Sequence, residues 1–279
     1  MSYRTYHEIH GEDESRLLSQ VTEQRARVGR RLESVERVIA IMSGKGGVGK
    51  SYVTARLAAG AASRAKAIGV LDADLRSPTV ARLLGAEGPL VVTDDGVDPA
   101  LCRDGVRVVS TDLLLEEGQP LAWREPAHER FVWRGVQETG VLREFLSDVT
   151  WGRLDLLLVD LPPGADGVVD LKELVPDITG ALIVTIPSEE SRRSVARTMR
   201  AASDAGIPLL GVVENMSGYH CPECGGSRPL FAGTAGADLA EAFGVPLLAR
   251  GPFLPQHTTA SLDHDDSDAL VDGFLRMLA

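Results

Sequence analysis

Nowhere in this 279-residue sequence does an apolar run approach the ~20 residues needed to cross a bilayer. The opening stretch, "MSYRTYHEIHGEDES", also lacks the apolar centre of a signal peptide, so the chain reads as cytoplasmic, with no membrane partner. Aromatic residues are scarce, at 5%. That disfavours an all-β core, whereas abundant Ala, Leu, Val and Gly suit a parallel sheet covered by helices. Positive charge is in deficit, with a formal net charge of −11, so no basic field exists to hold nucleic acid. Three cysteines are too few for a disulfide framework and point to free thiols or metal ligands. Lysine is also rare: four residues, at 45, 50, 66 and 172, against twenty-five arginines.

Two of those four lysines stand in one loop. Gly44, Lys45, Gly46, Gly47, Val48, Gly49, Lys50 and Ser51 match G-x-x-x-x-G-K-[ST], the phosphate-binding P-loop. Its glycines allow backbone N–H groups to converge on phosphate oxygens, in conformations that a side chain would forbid. The apolar run 38–42 supplies the preceding strand, and a helix beginning near Tyr52 turns its positive end toward the phosphates. Lys50 is expected to reach the β- and γ-phosphates of ATP, and Ser51 to bind Mg²⁺ through its hydroxyl. An ammonium is a compact point charge that fits such a cradle, where arginine's wide planar fork does not. Lys45 is not needed by a plain P-loop. The run K-G-G-V-G-K-S resembles the deviant Walker A loop of the MinD/ParA/nitrogenase-iron-protein class. That resemblance implies that Lys45 crosses a dimer interface to the nucleotide of the other subunit.

Strand-like runs recur at 38–42, 67–71, 106–110, 154–159, 181–186 and 208–213, with a short one near 246–249. Helical segments are expected near 50–64, 127–148, 190–205 and 235–243. This alternation predicts a doubly wound, mostly parallel α/β sheet with helices on both faces and ligands at the carboxyl ends of the strands. Residues 85–104, rich in Gly, Pro and Asp, read as a loop or hairpin. A charged amphipathic helix is expected over 12–37, with Leu17, Val21, Val28, Leu32 and Val35 on one side. We therefore divide the chain into an N-terminal helical extension, 1–37, and a P-loop ATPase domain, 38–279. The final "ALVDGFLRMLA" is expected to form a docked terminal helix, since Asp268 and Asp272 oppose an anionic bilayer.

Two strand ends carry aspartates. "AIGVLDADLRSP" closes with Asp72 and Asp74, and "LDLLLVDLPPG" with Asp160. A carboxylate at a buried strand end beside a P-loop holds Mg²⁺ through its water shell, a role that suits Asp160. Asp74 is the candidate for orienting the attacking water. The D-x-D resembles the switch I element of the class and D-L-P-P-G its switch II, where Gly164 could turn its N–H toward the γ-phosphate. In "GVVENMSGYH", Asn215 can present both a donor and an acceptor to adenine. In the resembled class an asparagine here recognises the base; an ordinary turn asparagine is the alternative.

"HCPECGG" places Cys221 and Cys224 in the knuckle spacing of thiolate metal sites. Zinc and iron–sulfur clusters both usually take four protein ligands, and the chain offers one pair. Two copies facing each other across a dimer axis complete Cys₄. His220 is read as a loop histidine and Cys102 as a small buried or loop residue. A redox C-x-x-C normally opens a helix, which the following Gly225-Gly226-Ser227-Arg228-Pro229 does not favour.

The P-loop, D-x-D, "WRG" at 133–135, "WGRLDLLLVDLPPG" at 151–164 and "ENMSGYHCPECG" at 214–225 resemble the Mrp/ApbC family of iron–sulfur cluster carrier ATPases. The likeness runs from about residue 36 to 255. It implies a homodimer that holds a [4Fe–4S] cluster between subunits and passes it to apo iron–sulfur client proteins, with slow ATP hydrolysis. The chain departs from the family pattern in placing Ala165-Asp166-Gly167 after D-L-P-P-G, Arg76-Ser77 after D-x-D, and Ser188-Glu189-Glu190 after the strand 181–186. Two other readings compete: a MinD/ParA-type positioning ATPase, which the charge disfavours, and an ATP-regulated dimer with a structural Cys₄ zinc site. Spacing alone does not separate zinc from iron–sulfur.

Overall fold

The computed structural model describes residues 17–86, 89–102, 104–114, 130–221, 223–224, 226–253 and 266–279. In chain order they form α1 (Leu17–Leu32), β1 (Val38–Ser43), α2 (Lys50–Ala62), β2 (Ile68–Asp72), α3 (Val80–Leu83), β3 (Val91–Thr93) and β4 (Gly96–Asp98). Next come β5 (Ala100–Leu101), β6 (Arg107–Val109), α4 (Arg130–Asp148), β7 (Leu156–Asp160), α5 (Asp166–Leu174), β8 (Gly180–Thr185) and α6 (Glu189–Asp204). The chain closes with β9 (Leu209–Glu214), β10 (Tyr219–His220), β11 (Ser227–Arg228), α7 (Ala235–Phe243), β12 (Leu247–Arg250) and α8 (Asp266–Leu278).

Eight strands pair in the order β12-β9-β8-β1-β7-β2-β6-β5, all parallel except the edge pair β5–β6. This is the doubly wound sheet that the alternation predicts. The reason lies in the strand sequences: Val38–Ser43, Ile68–Asp72, Leu156–Asp160 and Gly180–Thr185 are buried at every position. Continuous apolar runs of this kind have no solvent face and need helices on both sides. Along β1 the pleat alternates accordingly. Val38, Ala40 and Met42 enter the core shared with α4, α5, α6 and α7, while Ile39 and Ile41 enter the core under α2, α3 and α8.

β1 pairs β7 on one side and β8 on the other. The chain leaves β1 toward β2 and later returns to build β8, β9 and β12 on the opposite side. The crevice at the carboxyl end of β1 is therefore the topological switch point, where ligands of open α/β sheets bind.

The expected elements differ from the observed ones in places. The helix expected over 12–37 is described from Leu17 and ends at Leu32; residues 12–16 lie outside the described residues. Val28 is fully buried, and Leu32 and Val35 pack against the same core. The helix expected from 127 is described from Arg130. Residues 91–98 form a β3–β4 hairpin within the stretch read as loop or hairpin. Helix α5 lies outside the expected helical segments. Its apolar positions, Val168, Leu171 and Leu174, recur at helical spacing and are buried. The terminal helix α8 is docked through buried Val271, Phe274 and Leu278; Gly60 of α2 makes room for Val271, and Arg64 pairs with Asp272 at 2.8 Å. Among the described residues no helix is long and apolar enough to cross a membrane.

Candidate functional site

The loop after β1 owes its shape to its glycines. Gly44 presses against the backbone of Ser194 and Val195 in α6, where a Cβ would collide, and the Ser194 hydroxyl donates to the Gly44 carbonyl. Gly47 and Gly49 hold φ of 77° and 83°, the left-handed region that other residues avoid. Gly49 is the N-cap of α2, so the first N–H groups of a 13-residue helix face the cleft at the end of β1. Residues Lys45 to Tyr52 line this cleft, which has a volume of about 800 Å³.

At its floor lies a buried polar knot around Asp160, the last residue of β7, which is 0% exposed. Its Oδ2 accepts from Lys50 Nζ at 2.7 Å and from Ser51 Oγ at 2.6 Å, while its Oδ1 accepts from Thr54 Oγ1 at 2.6 Å. The knot thus draws Lys50, Ser51 and Thr54 from one face of α2 onto one carboxylate. An ion pair removed from water is tolerated only with such added hydrogen bonds. Hydroxyl and carboxylate oxygens side by side also suit a hard cation such as Mg²⁺.

Asp72 and Asp160 are register partners at neighbouring strand ends. Asp72 is fully buried; its Oδ2 accepts from the Thr79 and Val80 amides and from the Ser110 hydroxyl, so it holds the loop that carries Asp74. Burial, and secondarily the Asp160 charge, push its carboxyl up to about 7. Asp74 lies half-buried on the wall of the cleft, with its carboxyl raised by burial, lowered by Lys50 and raised again by Asp160. Lys45 is half-buried on the same wall, and the Ser43 hydroxyl donates to its carbonyl. Gly164, at φ 110°, donates its N–H to the Ser43 carbonyl at 2.9 Å. A Cβ at this position would meet no atom within 4 Å.

Asn215 sits one residue beyond β9 and directly beneath the loop. Its Nδ2 donates to the Val48 carbonyl at 3.0 Å, and the residue is 6% exposed. The structure therefore gathers Lys45, Lys50, Ser51, Tyr52, Asp74 and Asp160 around one cleft and packs Asn215 against the loop's underside. Sequence reasoning missed Thr54, whose position four residues after Lys50 on the same helix face was the available signal. It also missed Thr139 of α4 and Asp170 of the unforeseen α5, which line the cleft and bond to each other at 2.7 Å.

The cysteines stand apart from the cleft. The strands β10 and β11 form a short antiparallel hairpin, and Cys221 and Cys224 lie in the loop joining them. The Cys221 amide donates to the Gly226 carbonyl at 2.9 Å, closing the knuckle. Backbone N–H groups of Cys224 and Glu223, with the Cys224 thiol, lower the Cys221 thiol below its ordinary pKa. Cys224 is exposed, Cys221 half-buried, and Cys102 buried far along the chain, where burial and Asp104 push its thiol up to about 11. Among the described residues no single chain gathers three or more metal-ligating side chains.

The chain is similar to proteins whose roles are named. It is 38% identical to an iron-sulfur cluster carrier protein of Saccharolobus solfataricus over 86% of this chain and 81% of that protein. It is 37% identical to the human cytosolic Fe-S cluster assembly factor NUBP2 over 80% of this chain and 82% of that one. Among solved structures, a nucleotide-binding protein of Archaeoglobus fulgidus in complex with ADP matches with a TM-score of 0.70 and 33% identity, covering 90% of this chain and 93% of that one. The cell-division ATPase MinD of Pyrococcus furiosus matches with a TM-score of 0.56 at 21% identity, covering 88% of this chain and 100% of that one, a likeness of fold alone. The family model described as "ParA: NUBPL iron-transfer P-loop NTPase" matches residues 34–272. With the P-loop, the strand-end aspartates and the cysteine hairpin all inside that span, the chain belongs to the NUBPL iron-transfer P-loop NTPase family.

Proposed function

We propose that this protein is a cytoplasmic, ATP-hydrolysing carrier that works as a homodimer, holds a [4Fe–4S] cluster between the cysteine pairs of two copies, and passes it to apo iron–sulfur client proteins. The observation that carries this reading is the hairpin knuckle of half-buried Cys221 and exposed Cys224, a thiol pair on a chain built around a P-loop cleft. A half-site of two cysteines is completed by a second copy. Its exposure suits a cargo that must be surrendered to another protein.

In the cleft the P-loop amides and Lys50 bind the β- and γ-phosphates of ATP. Ser51, with Asp160 behind it, would hold Mg²⁺, which would supply charge neutralisation for the phosphates. Asp74 orients the attacking water, and Lys45 reaches the nucleotide of the partner copy. Gly164 responds to the γ-phosphate by turning its amide, and Asn215 contributes to the base end. Such a carrier needs neither a membrane nor nucleic acid as a partner.

The test is anaerobic reconstitution with iron and sulfide. The expected product is brown, with broad sulfur-to-iron charge-transfer absorbance that is lost in Cys221→Ser and in Cys224→Ser. A colourless protein that binds zinc through both cysteines and refuses iron contradicts the carrier reading and supports a structural Cys₄ zinc dimer.

A further inference from the structure

We infer that Asn215 is the positioning residue that joins the nucleotide loop mechanically to the cysteine hairpin. The inference rests on the carrier reading and supplies the route by which one site acts on the other.

Three contacts meet on this side chain. Its amide donates to the Val48 carbonyl at 3.0 Å, inside the P-loop. It also fills the space under Gly49, where a Cβ would run into the Asn215 amide nitrogen. Its carbonyl oxygen faces Gly251, where a Cβ would lie only 3.2 Å away. Asn215 is thus wedged between the loop that receives phosphate and the segment after β12. A residue with so little free space moves when the loop moves, because packed interiors transmit displacement and do not absorb it.

The chain beyond Asn215 converts that wedge into a lever. Met216 holds φ at 55°, a left-handed conformation that is uncommon for a side chain of this size and marks the bend. Ser217 then donates to the Gly251 carbonyl through both its amide, at 2.9 Å, and its hydroxyl, at 3.0 Å. Phe253 donates its amide to the Gly218 carbonyl at 2.7 Å. The base of the hairpin and the 251–253 segment are therefore one tied unit, and Asn215 touches that unit at Gly251 and the P-loop at Val48 and Gly49. From there only β10 separates the tie from Cys221. By linkage, any free energy that ATP exerts on the hairpin returns as a change in ATP affinity when the hairpin is held.

The experiment uses the full chain carrying Cys102→Ser, so that alkylation by iodoacetamide reports Cys221 and Cys224 alone. The alkylation rate is measured without nucleotide and with Mg–ATP at saturation, saturation being established by titration of each variant. The parent is expected to show a rate change of at least about fivefold, the lower end of ordinary allosteric coupling. In Asn215→Ala the change should fall to within about twofold of unity. Asn215→Asp keeps the size and the packing on Gly49 but sets an acceptor against the Val48 carbonyl, and the same loss is expected. It serves as the deciding variant should the alanine chain fail to fold. A parent rate that ATP does not alter, or variants that keep the parent's full factor, overturn the inference. So does a variant that keeps that factor while losing discrimination between ATP and GTP, since Asn215 would then act on the base only. None of these readouts involves a cluster, so the iron content of the reconstituted protein judges the carrier reading separately.

Discussion

The nucleotide cleft and the cysteine hairpin are built to opposite specifications. In the cleft, Asp160 is wholly buried and bonded to three side chains of α2, and Asp72 is bonded to two amides and a hydroxyl. Each strand end is fixed by neighbours in an eight-stranded sheet. The hairpin has two two-residue strands, an exposed Cys224, and backbone hydrogen bonds as its main support. A site that must stabilise developing charge on phosphate gains from rigidity, because its dipoles need not reorganise. On the carrier reading proposed above, exposure and shallow anchoring suit the hairpin, since local stability limits how readily a segment opens.

The largest expected effect breaks the rigid side. Lys50→Ala removes the cation of the polar knot and leaves Asp160 buried with hydroxyl donors only. ATP binding should be abolished, and because breaking a buried pair strands its partner, unfolding stability should fall by about 3 kcal/mol. Nucleotide titration and denaturant unfolding measure the two effects. Retained ATP affinity would sink the role given to Lys50.

A smaller effect is expected on the wall of the cleft. Asp74→Asn keeps size and hydrogen-bonding capacity but loses charge, so ATP should still bind while hydrolysis falls about a hundredfold. Hydrolysis at the parent rate would return the water-orienting role to another group.

Asp72 sharpens the comparison through pH. Its carboxyl is pushed up to about 7 in the folded protein by burial first and Asp160 second, well above the ordinary carboxylate range. The folded state therefore holds a proton that the unfolded chain gives up, so this contribution to stability is complete at low pH and is lost as pH rises through about 7. The nucleotide-free protein should lose thermal stability between weakly acidic and neutral pH, and Asp72→Asn should flatten that slope. An unchanged slope in the variant would place the cause elsewhere.

The smallest effect is expected at Cys102. It is buried in the core under α2 and α3, where burial and Asp104 push its thiol up to about 11. Cys102→Ser should cost about 1 kcal/mol by burying a hydroxyl, and should leave iron content intact.

The same contrast governs what could be read from the sequence. The P-loop, the aspartates at 72, 74 and 160 and the C-P-E-C knuckle were legible because each depends on residue types at short spacing, and the strands because buried parallel strands are continuous apolar runs. What escaped depends on contacts distant in sequence. Thr54 meets Asp160 across 106 residues and Asn215 meets Val48 across 167, pairings that only the sheet order creates. Helix α5 was hidden by the turn-like Pro162-Pro163-Gly164 before it. The burial of Asp72, as opposed to the partial exposure of Asp74 two residues on, follows from where the strand ends and not from either residue's type.

The central claim, that one cluster is shared by two half-sites, is tested most directly by counting iron and sulfide per chain after anaerobic reconstitution, on a species whose mass is measured in the same solution. The expected result is a dimer with about two irons and two sulfides per chain, and none above background in Cys224→Ser. About four irons per chain, a reconstituted monomer, or full cluster content in Cys224→Ser would contradict it.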